Sequence, residues 1–183
     1  MSGHWVLVTG SRWWRDRERI RASFLAVQRH LRVPAGAMGI VHGAARGADQ
    51  LADAVAAELG WIRDPVPCTQ QEWARYGRSA GHRRNARMIR RREYVGCVGF
   101  PLGLSAGTRG CMVAAADAGI RVWDRGEPPL PDGLYRVTAG QVCAGFEVHR
   151  GVVVECAPIL RRQLARWWDL TASGDPSVQA VAA

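Results

Sequence analysis

The chain has 183 residues, 48% hydrophobic and 22% charged, a balance that excludes an intrinsically disordered protein. Its formal net charge is +9, and all 25 basic residues are arginine. No apolar run reaches the ~18–20 residues of a membrane span, so no membrane partner is expected.

The charge is unevenly placed. Residues 1–126 hold 20 arginines against 10 acidic residues, whereas residues 127–183 hold five against six. The first part therefore suits an anionic ligand such as a phosphate, a nucleotide or a nucleic acid. The five cysteines (68, 97, 111, 143, 156) are scattered, with no Cys-x-x-Cys pair. They read as buried thiols of a cytoplasmic protein; no metal site and no cofactor are expected. Met1-Ser2-Gly3-His4 lacks the basic and apolar regions of a secretory leader.

Trp5–Thr9 reads as a buried strand, and Gly10-Ser11-Arg12 turns out of it. Asp16 is placed to cap a helix, on which Ile20, Phe24, Val27 and Leu31 recur at the period of one face. Gly39–His42 forms the second strand and Gly43–Gly47 a turn of small residues. Leu51, Val55 and Leu59 mark a second helix closed by Gly60. A weaker strand follows over Trp61–Val66, then an irregular loop over 67–79 anchored by Trp73 and Tyr76. A helix over Gly81–Arg92 leads into the strand Tyr94–Phe100. The turn 101–108 precedes an alanine-rich helix to Ala118, and Ile120–Trp123 supplies a last strand.

This alternation predicts an α/β fold: a Rossmann-like parallel sheet of about five strands with helices on both faces, over residues 1–126. Residues 127–133 read as a proline-rich linker. Beyond it, short strands at Leu134–Thr138, Val142–His149 and Val152–Ala157 and a helix over Ile159–Leu170 predict a small β-rich appendage, 134–170. Residues 171–183 read as a tail.

Three turns carry the candidate chemistry: Gly10-Ser11-Arg12, Gly43 through Asp49, and Gly103 through Thr108. Each follows a strand and precedes a helix, which places all three at the carboxyl ends of parallel strands, where open α/β sheets bind ligands. Helix amides there suit a phosphate. None matches the phosphate loop ending in Gly-Lys-Ser/Thr, and Gly-x-Gly-x-x-Gly is missing after the first strand, which disfavours ordinary kinases, ATPases and dehydrogenases. Residues 75–92 add eight arginines (75, 78, 83, 84, 87, 90, 91, 92) and no acid before Glu93. Arg84-Asn85 can reach the cleft, whereas Arg90–Arg92 complement the dipole at the helix end.

Val-Thr-Gly-Ser-Arg at 8–12, Val-His-Gly-Ala-Ala-Arg-Gly-Ala-Asp at 41–49, Ala-Gly-His-Arg-Arg-Asn at 80–85 and Gly-Leu-Ser-Ala-Gly-Thr at 103–108 together resemble the SLOG superfamily, in its YspA/cpYpsA-related (YAcAr) branch. The resemblance spans residues 4–123. It implies a Rossmann-like fold that senses or processes nucleotide-derived ligands, with LOG phosphoribohydrolases and DprA DNA-processing proteins as relatives, and frequent homodimers. By that resemblance Gly103, Gly107 and Thr108 cradle phosphate with Ser105 as an auxiliary donor. Gly10, Ser11 and Arg12 line the other side, with Gly43 and Gly47 in the intervening turn. Asp49 accepts from a ribose hydroxyl or base, Arg84 pairs with phosphate, and Asn85 contacts the ligand or braces the loop. LOG enzymes carry Pro-Gly-Gly-x-Gly-Thr-x-x-Glu with a catalytic glutamate; here Cys111 stands at that position.

Three functions fit these residues. The leading one is a module that binds a nucleotide or nucleotide-derived small molecule. A second is an N-glycosidase or phosphoribohydrolase, whose catalytic carboxylate would be Asp49, with Glu72 and His82 behind it. A third is single-stranded nucleic-acid binding through Arg75–Arg92. His42 reads as a satisfied core histidine, and Trp13 and Trp14 fit either base stacking or packing.

Overall fold

Val6, Leu7 and Val8 are fully buried on both faces of strand β1 (His4–Gly10), as a continuous apolar run in a parallel sheet requires. A computed structural model describes residues 3–102, 105–126, 133–139, 142–149, 152–156 and 178–181. Strands β2 (Met38–His42), β3 (Ile62–Pro65), β4 (Tyr94–Phe100) and β5 (Val122–Asp124) join β1 in one parallel sheet of order β3-β2-β1-β4-β5. The chain winds outward from β1 to β3, then crosses to β4 and winds the other way. The direction reverses between β1 and β4, where open α/β sheets leave a crevice at their carboxyl edge.

Helices cover both faces. Helices α1 (Arg17–Leu31) and α2 (Ala48–Glu58) bury Ile20, Phe24, Val27, Ala52 and Val55 against Val6, Val8, Ile40 and Val98. Helices α4 (Ser79–Ile89) and α5 (Ala106–Asp117) bring Met88 and Ala115 against Leu7, Val41 and Cys97. Asp16 caps α1, its Oδ1 accepting from Arg19 N–H at 2.8 Å. Gly60 and Gly119 follow α2 and α5 with φ of +71° and +78°, the left-handed geometry that ends helices.

Residues 67–79 are not wholly irregular. They contain α3 (Gln70–Tyr76), begun by a capping box in which Thr69 and Glu72 each accept the other's backbone N–H. The Thr-x-x-Glu signature was present at 69–72, but about two turns offer too few apolar positions for periodicity to register. Arg91 and Arg92, just past the end of α4, both pair with Asp64 of β3, at 2.8 and 2.9 Å. They tie the end of α4 to the sheet edge as ion pairs.

Strands β6 (Gly133–Ala139), β7 (Val142–His149), β8 (Val152–Cys156) and β9 (Val178–Val181) form a second, antiparallel sheet of order β8-β7-β6-β9. Gly133, assigned to the linker by composition, starts β6, and Val178–Val181 pairs with β6 inside the stretch that reads as a tail. Four residues are too short for alternation to stand out from their small, polar neighbours. Residues 127–132 and the helix expected over 159–170 lie outside the described residues.

Gly10 is where the sheet and α2 meet. A Cβ there would sit 2.3 Å from Ala48 Cβ and 3.0 Å from Phe100 Cβ. Gly10→Ala should therefore destabilise the protein by roughly 1–3 kcal/mol through overpacking. Gly110, inside α5 with nothing within 4 Å of a built Cβ, is the internal contrast. Gly110→Ala should raise stability by about 0.5–1 kcal/mol. Denaturant unfolding of the two variants beside the parent checks both signs.

Candidate functional site

A cleft of about 590 Å³ opens at the reversal point between β1 and β4. The β1–α1 turn contributes Gly10, Ser11, Arg12 and Trp13, and the start of α5 contributes Ser105, Ala106, Gly107 and Thr108. From α4 come Gly81, His82, Arg84 and Asn85, and from the β2–α2 loop and α2 come Ala45, Arg46 and Asp49. Gly43 lines an adjoining cavity of about 350 Å³ that shares Arg12, Arg46, Trp73 and Arg84 with the first. Gly47 lines neither. It is a packing residue: its φ is +78°, and a Cβ would lie 2.5 Å from the backbone of Ser11 and Arg12. Gly103 lies outside the described residues.

Asp49 organises the β2–α2 loop. It sits in the first turn of α2, 4% exposed, and its Oδ2 accepts from Gly43 N–H at 3.0 Å and Ala45 N–H at 3.2 Å. Arg84 Nη1 lies 3.6 Å from the same oxygen. Burial pushes the Asp49 carboxyl above its ordinary value, and the Arg84 charge and the loop amides oppose that shift. Gly43 is required by this arrangement, because a Cβ there would stand 0.9 Å from Arg84 Nη1.

Arg84 reaches the cleft because of its place on α4. Ala80, Arg84 and Met88 recur every four residues on the inward face, and Ala80 and Met88 are buried. The outward arginines are engaged elsewhere: Arg87 with Glu72, and Arg83 over the Tyr76 ring at 4.2 Å. Arg84 Nε and Nη1 are the two buried side-chain polar atoms that lack a hydrogen-bond partner among the described residues. A buried donor left in that state costs about 1–3 kcal/mol, more when charged.

The α5 terminus complements this cation. Ser105, at φ +29°, accepts at its carbonyl from Thr108 N–H and Arg109 N–H, both at 2.9 Å. Its hydroxyl donates to Thr108 Oγ1 at 3.1 Å, which leaves the Thr108 hydroxyl proton free to donate. Among the described residues no side chain caps the first amides of α5, and those of Ala106 and Gly107 are among the four that a helix leaves unused. Cys111 is buried, and burial pushes its thiol up, so it carries neither a carboxylate nor a ready thiolate.

Two residues weighed for chemistry have structural partners. His42 Nδ1 accepts from Ala44 N–H at 3.3 Å, which leaves Nε2 to donate to Asp53 Oδ1 at 3.0 Å. Trp14 is buried, tilted on Phe100 at 5.3 Å between ring centroids. Trp13 instead lines the cleft, with Arg46 4.2 Å over its ring.

Trp73, Arg46 and Arg78 also line the cleft, and sequence reasoning did not place them there. The capping box that starts α3 was the available signal for Trp73, since it fixes the helix that presents the indole. Glu72 secures that helix, held down to about 2 by Arg87 first and by the Thr69 N–H. A depressed carboxylate stabilises the fold above its ordinary value of 4.5 and loses that contribution as pH falls toward its folded value. The stability advantage of the parent over Glu72→Gln should therefore shrink between pH 4.5 and 2, as acid titration of unfolding will show.

The YspA, cpYpsA-related SLOG family matches residues 5–76. The chain is 43% identical over 128 residues to the Gene 61 protein of Mycobacterium phage D29, covering 68% of this chain and 98% of the phage protein. No solved structure matches the chain. Among the described residues, no helix is long and apolar enough to cross a membrane.

Proposed function

The chain belongs to the YspA, cpYpsA-related SLOG family, and from that membership we propose that it binds a nucleotide or nucleotide-derived small molecule at the carboxyl ends of the parallel strands. The observation that carries this reading is Arg84: a buried guanidinium at the cleft, ion-paired to Asp49, whose Nε and Nη1 have no hydrogen-bond partner among the described residues. Anionic oxygens are the acceptors these donors lack, and the planar, charged donor array of a guanidinium favours phosphate. The amides of Ala106 and Gly107, the positive end of α5 and the Thr108 hydroxyl take the remaining phosphate oxygens. Gly107 has open space where a Cβ would be, so a ligand can approach its backbone closely. Asn85 and Ser11 complete the polar lining.

Binding is favoured over N-glycosidic hydrolysis by what the carboxylates do. Asp49 Oδ2 accepts two amides and faces Arg84, so its work is to shape the loop. Glu72 is committed to Arg87 and Thr69. The position of the LOG glutamate holds the buried thiol of Cys111.

Thermal unfolding in the presence of nucleoside mono- and diphosphates tests the proposal. A compound at about 100 times its dissociation constant should add about 2.7 kcal/mol, a shift of several degrees for a domain of this size. Arg84→Gln should weaken that compound at least about tenfold, as expected for a lost charge-assisted bond. Arg87→Gln, on the outward face of the same helix, should leave the shift intact. A shift that survives Arg84→Gln, or none across the panel, contradicts the reading.

A further inference from the structure

Four arginines (Arg12, Arg46, Arg78 and Arg84) line the cleft against one carboxylate, Asp49, an excess of three positive charges. Among the described residues, Arg84 alone of the four lies within ion-pair distance of a carboxylate. Arg12 and Arg46 lie instead against indole faces, 5.9 Å from the Trp73 ring and 4.2 Å from the Trp13 ring. Such contacts hold a guanidinium weakly, at about 0.5–1 kcal/mol where exposed. They leave it available to an oxyanion. A phosphate monoester brings about −1.5 to −2 charge, less than the excess of three. The remaining excess calls for more negative charge than one phosphate supplies.

The space agrees with the charge. The cleft and the adjoining cavity meet at Arg12, Arg46, Trp73 and Arg84, so a ligand seated at Arg84 extends past both indoles. Trp73 is 40% exposed at that junction, a large apolar ring left partly open to solvent.

We infer that the ligand carries two linked phosphates, a nucleoside diphosphate or a larger molecule containing one: the first phosphate sits at Arg84 and the α5 terminus, the second draws Arg12 and Arg46 off their indoles, and the base stacks on the Trp73 face so released. This rests on the binding function proposed above and names the class of ligand within it.

Calorimetric titration of the full chain at one fixed ionic strength tests it, using the mono- and diphosphates of adenosine, guanosine, cytidine and uridine, with pyrophosphate as the base-free probe. For at least one base the diphosphate should bind ten or more times tighter than the monophosphate. Arg12→Gln combined with Arg46→Gln should erase that preference, with a far-ultraviolet circular dichroism spectrum like the parent's to show that the variant is folded. Trp73→Leu should weaken the nucleotide and leave pyrophosphate unchanged. Equal affinity for mono- and diphosphate, or a preference that survives the double substitution, overturns the diphosphate assignment and leaves the nucleotide-binding proposal standing. Loss of pyrophosphate affinity in Trp73→Leu overturns the placement of the base. Absence of binding by every compound overturns both proposals.

Discussion

Everything at the cleft depends on one buried carboxylate and what it holds. Asp49 draws Gly43 N–H and Ala45 N–H onto a single oxygen, which folds the β2–α2 loop back toward the helix that bears the aspartate. The loop so folded leaves room above Gly43 for a guanidinium, and Arg84 occupies it. A buried carboxylate is costly unless its charge is met, and a buried guanidinium is costly unless its donors are met. Asp49 has its hydrogen-bond partners, whereas Arg84, though it faces Asp49, has Nε and Nη1 without one among the described residues. That imbalance, created by the fold, is the feature on which the proposed anion binding rests.

The fold supplies the rest by geometry. Reversal of strand order between β1 and β4 opens the crevice, and the first amides of α5 lie at its edge. Ser11 joins the neighbouring parts. Its N–H donates to Phe100 O at 2.9 Å, and its carbonyl accepts from Ala48 N–H at 3.0 Å and Trp14 N–H at 3.2 Å. One residue thus sets the spacing among β4, α2 and the β1–α1 turn. Gly10 and Gly47 permit that approach, so their absence of a side chain serves packing, while Gly43 makes room for a side chain from α4.

The parallel sheet was legible because β1, β2 and β4 are apolar runs and its helices carry clear faces, as with Ile20, Phe24 and Val27 on α1. The order of the strands was not, since pairing of β4 with β1 is a long-range contact that no local period encodes. At the cleft, glycine-rich turns and Arg84-Asn85 stood out by residue type and by resemblance. Trp73, Arg46 and Arg78 did not, because an arginine or tryptophan in a polar stretch reads alike whether it faces a cleft or solvent. Helix α3 escaped periodicity by its length, and β9 by its four residues. The role of Gly43 could not be read at all, since it exists only through Arg84, forty-one positions along the chain.

A crystal structure of the protein with a bound nucleoside monophosphate tests the proposed role of Arg84 as an anion receptor most directly. It should place a phosphate oxygen about 2.7–2.9 Å from Arg84 Nε or Nη1, the distance of a charge-assisted bond. The amides of Ala106 or Gly107 should contact the same phosphate, and Asp49 should remain on Gly43 and Ala45. A nucleotide seated elsewhere, with both Arg84 nitrogens still unpartnered, would contradict the account.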